Sequence, residues 1–138
     1  MIPRYRPPLD FGTIDKCIGS APGNFSEIEH IFAATYGYQS SVWFPYGRVA
    51  VRAFLEVLER PKSRVVLSPF NCVALGNAIM ASNFFPKYVD TEISGFNQDP
   101  NEFLDALKEE QSSCGIVVSL WGIPAEEGIT LRAQKPLL

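Results

Sequence analysis

The sequence lacks a secretory signal, a membrane-spanning segment and a block of basic residues. The N-terminus carries Arg4 and Arg6 but no apolar segment after them, so it does not read as a secretory signal. No apolar run is long enough to cross a membrane, and no block of basic residues predicts nucleic-acid binding. The net charge is −3, with acidic and basic residues interspersed. We therefore expect a globular cytoplasmic protein without membrane or nucleic-acid partners.

Cysteine and histidine are also scarce. Cys17, Cys72 and Cys114 lie far apart and are odd in number, which favours reduced thiols over a disulfide framework. The single histidine, His30, is expected on a helix surface, and no spacing typical of metal ligands occurs. No histidine or acid is placed to activate Cys72 as a nucleophile. The sequence therefore predicts neither a metal site nor a catalytic cysteine.

The chain has 138 residues, of which 46% are hydrophobic, enough for one domain with its own core. Residues 1–23 are rich in proline and glycine and predict an extended N-terminal arm. Beyond the arm, apolar segments alternate with amphipathic segments that have helical periodicity. Helices are predicted at about 25–36, 47–60, 72–82 and 100–108, and strands at about 41–44, 64–67, 84–89 and 115–120.

This alternation predicts an α/β fold with three layers, built on a mostly parallel sheet. Ligands of such sheets bind at the carboxyl ends of the strands. The segments expected to converge there are 45–48, 68–72, 90–92 and 120–124.

Gly47 and Arg48 stand out because they open a helix directly after a predicted strand. The first N–H groups of a helix lack partners and lie at the positive end of its dipole, which makes the helix start an anion site. Arg48 adds a fixed charge with forked donors. The same two residues are also compatible with a purely structural turn.

Five segments, taken in order, resemble one family. They read FPYGRVA at 44–50, RVVLSPFNCVA at 64–74, FPKYVD at 85–90, NQD at 97–99 and GIVVSLWGIP at 115–124. Together they are similar to the amino-terminal part of the DegT/StrS-type sugar aminotransferases, which depend on pyridoxal phosphate and have fold type I. The resemblance covers about residues 25–127. It implies a truncated form of that family's large domain, with the cofactor pocket within residues 24–127.

The resemblance also implies which side chains surround the cofactor. The turn at Gly47 and Arg48 matches the one that holds the cofactor phosphate, and Cys72 matches the position against the pyridine ring. Asn71 would be a polar contact beside it, and the turn with Trp121 would line the substrate pocket. The implied site residues are Gly47, Arg48, Asn71, Cys72, Trp121 and Gly122.

The family's catalytic lysine and the carboxylate at its pyridine nitrogen both lie downstream of the matched segments. After Pro124 the chain reads AEEGITLRAQKPLL, which contains no aspartate. Gly128 and Pro136 are expected to interrupt the helix and strand that the family has here, and Lys135 comes too early. We therefore expect no catalytic residue in this chain and a non-matching, disordered tail at 128–138. A shortened or frame-shifted copy, or a deliberately short piece, would have such a tail.

Three functions from different classes fit the sequence, and whether the chain is an enzyme stays open. The first is an aminotransferase of nucleotide-sugar or amino-sugar biosynthesis, using an amino donor and a keto-sugar, which is inactive as these 138 residues alone. The second is a non-catalytic partner protein. The third is an unrelated small α/β domain that binds a phosphate ligand at Gly47. Because the family completes its site across a homodimer, we expect a homo-oligomer or an aggregation-prone chain.

Overall fold

The computed structural model describes residues 25–93, 95–119, 123–125, 129 and 132–138. The predicted N-terminal arm therefore lies outside the described residues. The chain divides into two compact units, residues 1–43 and 44–138. None of the described helices is long and apolar enough to span a membrane.

The first unit contains helix α1, Phe25–Tyr36. Glu27 lies in its first turn, where a negative charge interacts favourably with the helix dipole. The helix ends at Gly37, whose φ of +73° is a left-handed conformation that glycine adopts without strain. The N–H of Tyr38 then donates to the carbonyl of Ala33 (2.9 Å), which satisfies a helix-terminal acceptor.

The strand predicted at 41–44 is wrong. Residues 40–44 belong to no strand, and Ser41 and Trp43 bond to α1 instead. The Ser41 hydroxyl donates to the carbonyl of Glu29 (2.7 Å), and the N–H of Trp43 donates to the Glu29 carboxylate (2.9 Å). The second bond uses a backbone N–H that a strand would need for pairing with a neighbour.

The second unit alternates helices and strands, as the sequence predicts. Helix α2 is shorter than expected because Glu59 adopts a left-handed φ of +49° just beyond its end. The elements are α2 Gly47–Val57, β1 Arg64–Leu67, α3 Val73–Ala81, β2 Phe85–Tyr88, α4 Pro100–Lys108 and β3 Ser112–Ile116.

Strand β3 begins at Ser112, earlier than the predicted residue 115, and ends at Ile116. All five of its residues are buried, including two serines. The Ser112 hydroxyl donates to the carbonyl of Ala106 (2.7 Å), and the Ser113 hydroxyl donates to that of Arg64 (3.3 Å). Because these bonds satisfy the hydroxyls inside the protein, polar residues can open a buried strand.

The three strands form one parallel sheet in the order β2–β1–β3. Successive side chains of β1 point to opposite faces: Val65 and Leu67 pack with α2 and α3, and Val66 packs with α4. All three residues are fully buried. Helices therefore cover both faces of the sheet, which confirms the predicted three-layer α/β fold.

The end of the chain runs beside β3. The N–H of Gly115 donates to the carbonyl of Pro136 (3.0 Å), and the N–H of Leu138 donates to the carbonyl of Gly115 (3.0 Å), as in a parallel pair. A proline can occupy position 136 of this pair because its carbonyl accepts the hydrogen bond and no N–H group is required of it. Ile129 is buried against α4. The expectation of a disordered tail interrupted at Pro136 is therefore wrong for the tail residues that the structure describes; Gly128 lies outside them.

Candidate functional site

Helix α2 begins without a side-chain cap. Tyr46 is its N-cap in an extended conformation, and its carbonyl accepts the N–H groups of Val49 (3.0 Å) and Ala50 (3.2 Å). The N–H groups of Gly47 and Arg48 donate to no residue that the structure describes. A Cβ built on Gly47 would meet no heavy atom within 4 Å, so the space beside these donors is open. The predicted helix start thus presents, at its positive end, two donors that no described residue accepts.

Arg48 is held at this helix start by an aromatic ring. Its Cζ lies 4.3 Å from the centroid of the Tyr46 ring, within the range of a cation–π interaction. Arg48 forms no ion pair with any described residue. Its charge is therefore placed by Tyr46 while its guanidinium donors remain available for an anion.

Helix α3 also starts without a side-chain cap. Cys72 is its N-cap, is exposed and extended, and its carbonyl accepts the N–H of Leu75 (2.9 Å). In the described part of the chain, the N–H groups of Val73 and Ala74 have no acceptor. Since α3 follows β1 directly, these donors lie at the carboxyl end of the central strand, where parallel sheets bind ligands.

Helix α4, unlike α2 and α3, begins with a side-chain cap. The Asp99 carboxylate accepts the N–H groups of Asn101 (2.9 Å) and Glu102 (3.0 Å), so this helix start satisfies its own donors. Of the helices α2, α3 and α4, only α2 and α3 have first donors without an acceptor among the described residues.

The two open helix starts are neighbours. Arg48 and Ala74, each the second residue of its helix, line a single groove of about 410 Å³ between α2 and α3. None of the described residues that line this groove is acidic. Of the predicted site residues, Arg48 lines this groove, and Gly47 and Cys72 lie at the starts of the two helices that form it. Their contact with a ligand remains a prediction.

Asn71 has a structural partner. Its side-chain nitrogen donates to the carbonyl of Ser68 (2.8 Å), and its N–H donates to the carbonyl of Pro69 (2.9 Å). The amide nitrogen is therefore engaged in the turn that leads from β1 to α3. Trp121 and Gly122, the other predicted pocket residues, lie outside the described residues.

One polar residue that sequence reasoning missed is Gln98. It is 1% exposed, and neither its amide oxygen nor its nitrogen has a hydrogen-bond partner among the described residues. Its backbone forms a bridge with Thr91, beyond the carboxyl end of β2. No sequence pattern predicts this burial, because Gln98 stands among the polar residues just before the cap of α4.

Lys135 lies at the opposite edge of the sheet. Its Nζ donates to the carbonyls of Glu109 (2.6 Å) and Ser112 (2.5 Å), and Ser112 is the first residue of β3. A five-residue strand rises by about 13 Å. The Lys135 ammonium is thus about one strand length from the carboxyl edge of the sheet, where α3 begins.

Three charged side chains form a cluster near Lys135, at this edge of the sheet. The Glu109 carboxylate accepts hydrogen bonds from Lys87 (2.5 Å) and Arg64 (3.1 Å). Its pKa is lowered, mainly by the hydrogen bond from Lys87, with added attraction from the charges of Lys87 and Arg64. This cluster ties β1 and β2 to the end of α4.

Neither described cysteine forms a disulfide. Cys114 lies in the core, and burial raises the pKa of its thiol. Within the described ranges, no three histidine, cysteine, aspartate or glutamate side chains are grouped to hold a metal ion.

Comparison with known proteins identifies the fold. No family model and no curated protein matches the sequence. Among solved structures, Spr1654 of Streptococcus pneumoniae, described as a sugar aminotransferase and solved in its PMP form, superposes with a TM-score of 0.73 at 21% identity. NtdA of Bacillus subtilis with bound cofactor PMP gives 0.71 at 21% identity, and DesV of S. venezuelae gives 0.72 at 21%.

These matches cover most of this chain but a minority of the others. Spr1654 covers 87% of this chain, NtdA 85% and DesV 86%, whereas the shares of those chains are 31%, 28% and 33%. The chain therefore spans about a third of the solved structures it matches. It has the fold of part of the fold type I aminotransferase domain, as the resemblance implied.

Proposed function

We propose that this chain is the cofactor-binding part of a pyridoxal-phosphate-dependent sugar aminotransferase of the DegT/StrS type. The observation that carries the proposal is the pair of uncapped helix starts: α3 begins just beyond the carboxyl end of β1, and α2 contributes Arg48 to the groove that Ala74 of α3 also lines. The fold shared with Spr1654 and NtdA, both solved with PMP, supports it. We also propose that the protein acts in the cytoplasm.

The residues present fit a phosphate monoester. The N–H groups of Gly47 and Arg48 would donate to its oxygens, and the Arg48 guanidinium would balance its negative charge. Cys72 would lie beside the cofactor ring, and Asn71 would shape the turn next to it. When bound, the cofactor supplies an electron-withdrawing ring for amino-group transfer. The protein residues named here bind and orient it.

We further propose that these 138 residues alone do not catalyse transamination between an amino donor and a keto-sugar. The described lysines support this, because all of them lie away from the open helix starts. Lys135 donates to carbonyls at the amino end of β3, and Lys87 pairs with Glu109 there. Lys62 precedes β1, and Lys108 lies in the last turn of α4.

Titration of the purified chain with pyridoxal phosphate tests the proposed site, with pyridoxal as the comparator that lacks the phosphate. Arg48→Ala should weaken binding by about 10- to 150-fold, since a charged hydrogen bond contributes about 1.5–3 kcal/mol. Arg60→Ala, which changes an exposed arginine beyond the end of α2, is the matched control and should bind as the wild type does. Equal affinity for pyridoxal, or an unchanged Arg48→Ala variant, would refute the site.

The same titration distinguishes the proposed cofactor site from the alternative, in which the chain is a small α/β domain that binds some other phosphate ligand at Gly47. In that case inorganic phosphate would compete with pyridoxal phosphate at comparable concentrations, because only the phosphate group would be recognised. Contacts to the ring would instead make pyridoxal phosphate bind more tightly than phosphate alone.

A further inference from the structure

A small cavity of about 90 Å³ lies between α4 and the C-terminal residues. Two of its lining residues are buried leucines of α4, three are cations, and none of the described residues that line it is acidic. This cavity, called here the basic cavity, is lined by Leu104, Leu107, Lys108, Arg132, Gln134 and Lys135. In a chain whose net charge is −3, three cations around one cavity are a local concentration of positive charge.

Lys135 is held in the wall of the basic cavity by the protein backbone. Its Nζ donates to the carbonyls of Glu109 (2.6 Å) and Ser112 (2.5 Å). A lysine ammonium has three N–H donors, so one donor of Lys135 is not used by any described residue. The position of the charge is therefore set by the fold, and the remaining donor is available to a bound molecule.

The other two cations keep more of their donors. Lys108 uses one, in its bond to the Asp105 carboxylate (2.8 Å). Arg132 has no hydrogen bond or ion pair with any residue that the structure describes, and a guanidinium has five N–H donors. The pKa of Asp105 is lowered, first by the hydrogen bond from Lys108 and to a lesser extent by the charge of Arg132. Arg132 is thus near this carboxylate without bonding to it.

The charges around the basic cavity match a doubly charged anion. Its three cations are offset by one neighbouring acid, Asp105, which leaves two positive charges. The Glu109 carboxylate does not offset them further, because Lys87 and Arg64 pair with it. A phosphate group carries about −1.5 to −2 charges at pH 7 and offers only acceptor oxygens when it is a dianion.

The volume of the basic cavity restricts the ligand to a small ion. At about 30 Å³ for each water molecule, it has room for roughly three waters, which is the scale of an ion with five heavy atoms. The ring of pyridoxal phosphate does not fit in this space. We propose that the basic cavity binds a free tetrahedral oxyanion, phosphate or sulfate. The proposal is independent of the proposed cofactor site, which includes the start of α3 at the other edge of the sheet.

The bound ion would link α4 to the C-terminal residues. It would accept hydrogen bonds from Lys108 on the helix and from Arg132 and Lys135 beyond it. The chain that follows pairs with β3, where the N–H of Leu138 donates to the carbonyl of Gly115 (3.0 Å). Because a ligand of the folded state stabilises that state, we expect phosphate to slow amide exchange at Leu138.

Amide NMR of the full chain, titrated with sodium phosphate at constant ionic strength, tests the proposal. Signals of residues 108–112 and 132–135 should shift together with one dissociation constant, whatever happens at residues 47–49. Arg132→Gln and Lys108→Gln should each raise this constant by about 10-fold or more, since each removes a charged donor. Arg60→Gln, which changes an exposed arginine beyond the end of α2, is the matched control and should bind as the wild type does. Circular dichroism verifies that the variants are folded.

Four outcomes would overturn the proposal. The first is a phosphate response confined to residues 47–49, which would leave only the proposed cofactor site. The second is unchanged affinity in both Arg132→Gln and Lys108→Gln. The third is an equal response to sodium chloride, which would mean that charge screening alone moves the signals. The fourth is equal affinity for glycerol 3-phosphate, which would show that the cavity takes a phosphate ester and not the free ion.

Discussion

The substitution Gly115→Ala tests the packing at the centre of β3. A Cβ at this position would lie 2.5 Å from Cζ and 3.1 Å from Cε1 of Phe103, and 3.1 Å from Cδ2 of Leu137. Phe103 is fully buried, so its ring cannot swing into solvent. Leu137 belongs to the chain end that pairs with β3. The added methyl group must therefore displace either a core ring or the C-terminal residues.

The expected magnitude follows from two opposing effects. Overpacking of a core costs about 1–3 kcal/mol, whereas replacing glycine by alanine recovers about 0.4–1 kcal/mol through the unfolded chain. We expect a net loss of about 1–2 kcal/mol. For a domain of this size that lowers the Tm by roughly 3–10 °C.

Thermal unfolding followed by circular dichroism measures the effect, with Gly47→Ala as the control. A Cβ at Gly47 meets nothing within 4 Å, so this variant should unfold at or slightly above the wild-type temperature. Adding Leu137→Ala to Gly115→Ala should recover part of the loss by making room. A Gly115→Ala variant as stable as the wild type would refute the packing of Phe103 and Leu137 against Gly115.

Three further predictions concern polar groups. Gln98→Leu should raise the free energy of unfolding by about 1–3 kcal/mol in urea titrations, because it removes a buried amide without partners; a loss of stability would reveal a partner for the amide. Since the folded-state pKa of Glu109 is depressed below 4.5, its contribution is present above that pH and is lost as the pH falls through the folded pKa. Glu109→Gln should therefore lessen the loss of stability between pH 5 and pH 2, and an unchanged pH profile would contradict the ion cluster. Lys135→Met should speed amide exchange at Leu138 and leave pyridoxal phosphate binding unchanged; reduced binding would place Lys135 in the site.

The candidate site could be predicted in part because its signals are local. The uncapped start of α2 follows from a glycine after a tyrosine that offers no capping oxygen. The spacing of Tyr46 and Arg48 is compatible with a contact between their side chains. That the guanidinium lies over the ring depends on side-chain conformations, which the sequence does not specify. The proximity of Arg48 to Ala74 required the packing of α2 on α3, which no local pattern contains.

What the sequence determined by itself is the order of elements from α2 onward and the class of fold. The alternation of apolar and amphipathic segments predicts the parallel sheet, and Asp99 with Pro100 predicts the start of α4, because strand burial and helix capping act over a few residues. Only the tertiary structure decided that Ser112 opens β3, that Trp43 lies on α1 and that Pro136–Leu138 runs beside Gly115. In each of these cases a polar group is satisfied by a partner outside its own segment, and the fold determines which partner is within reach.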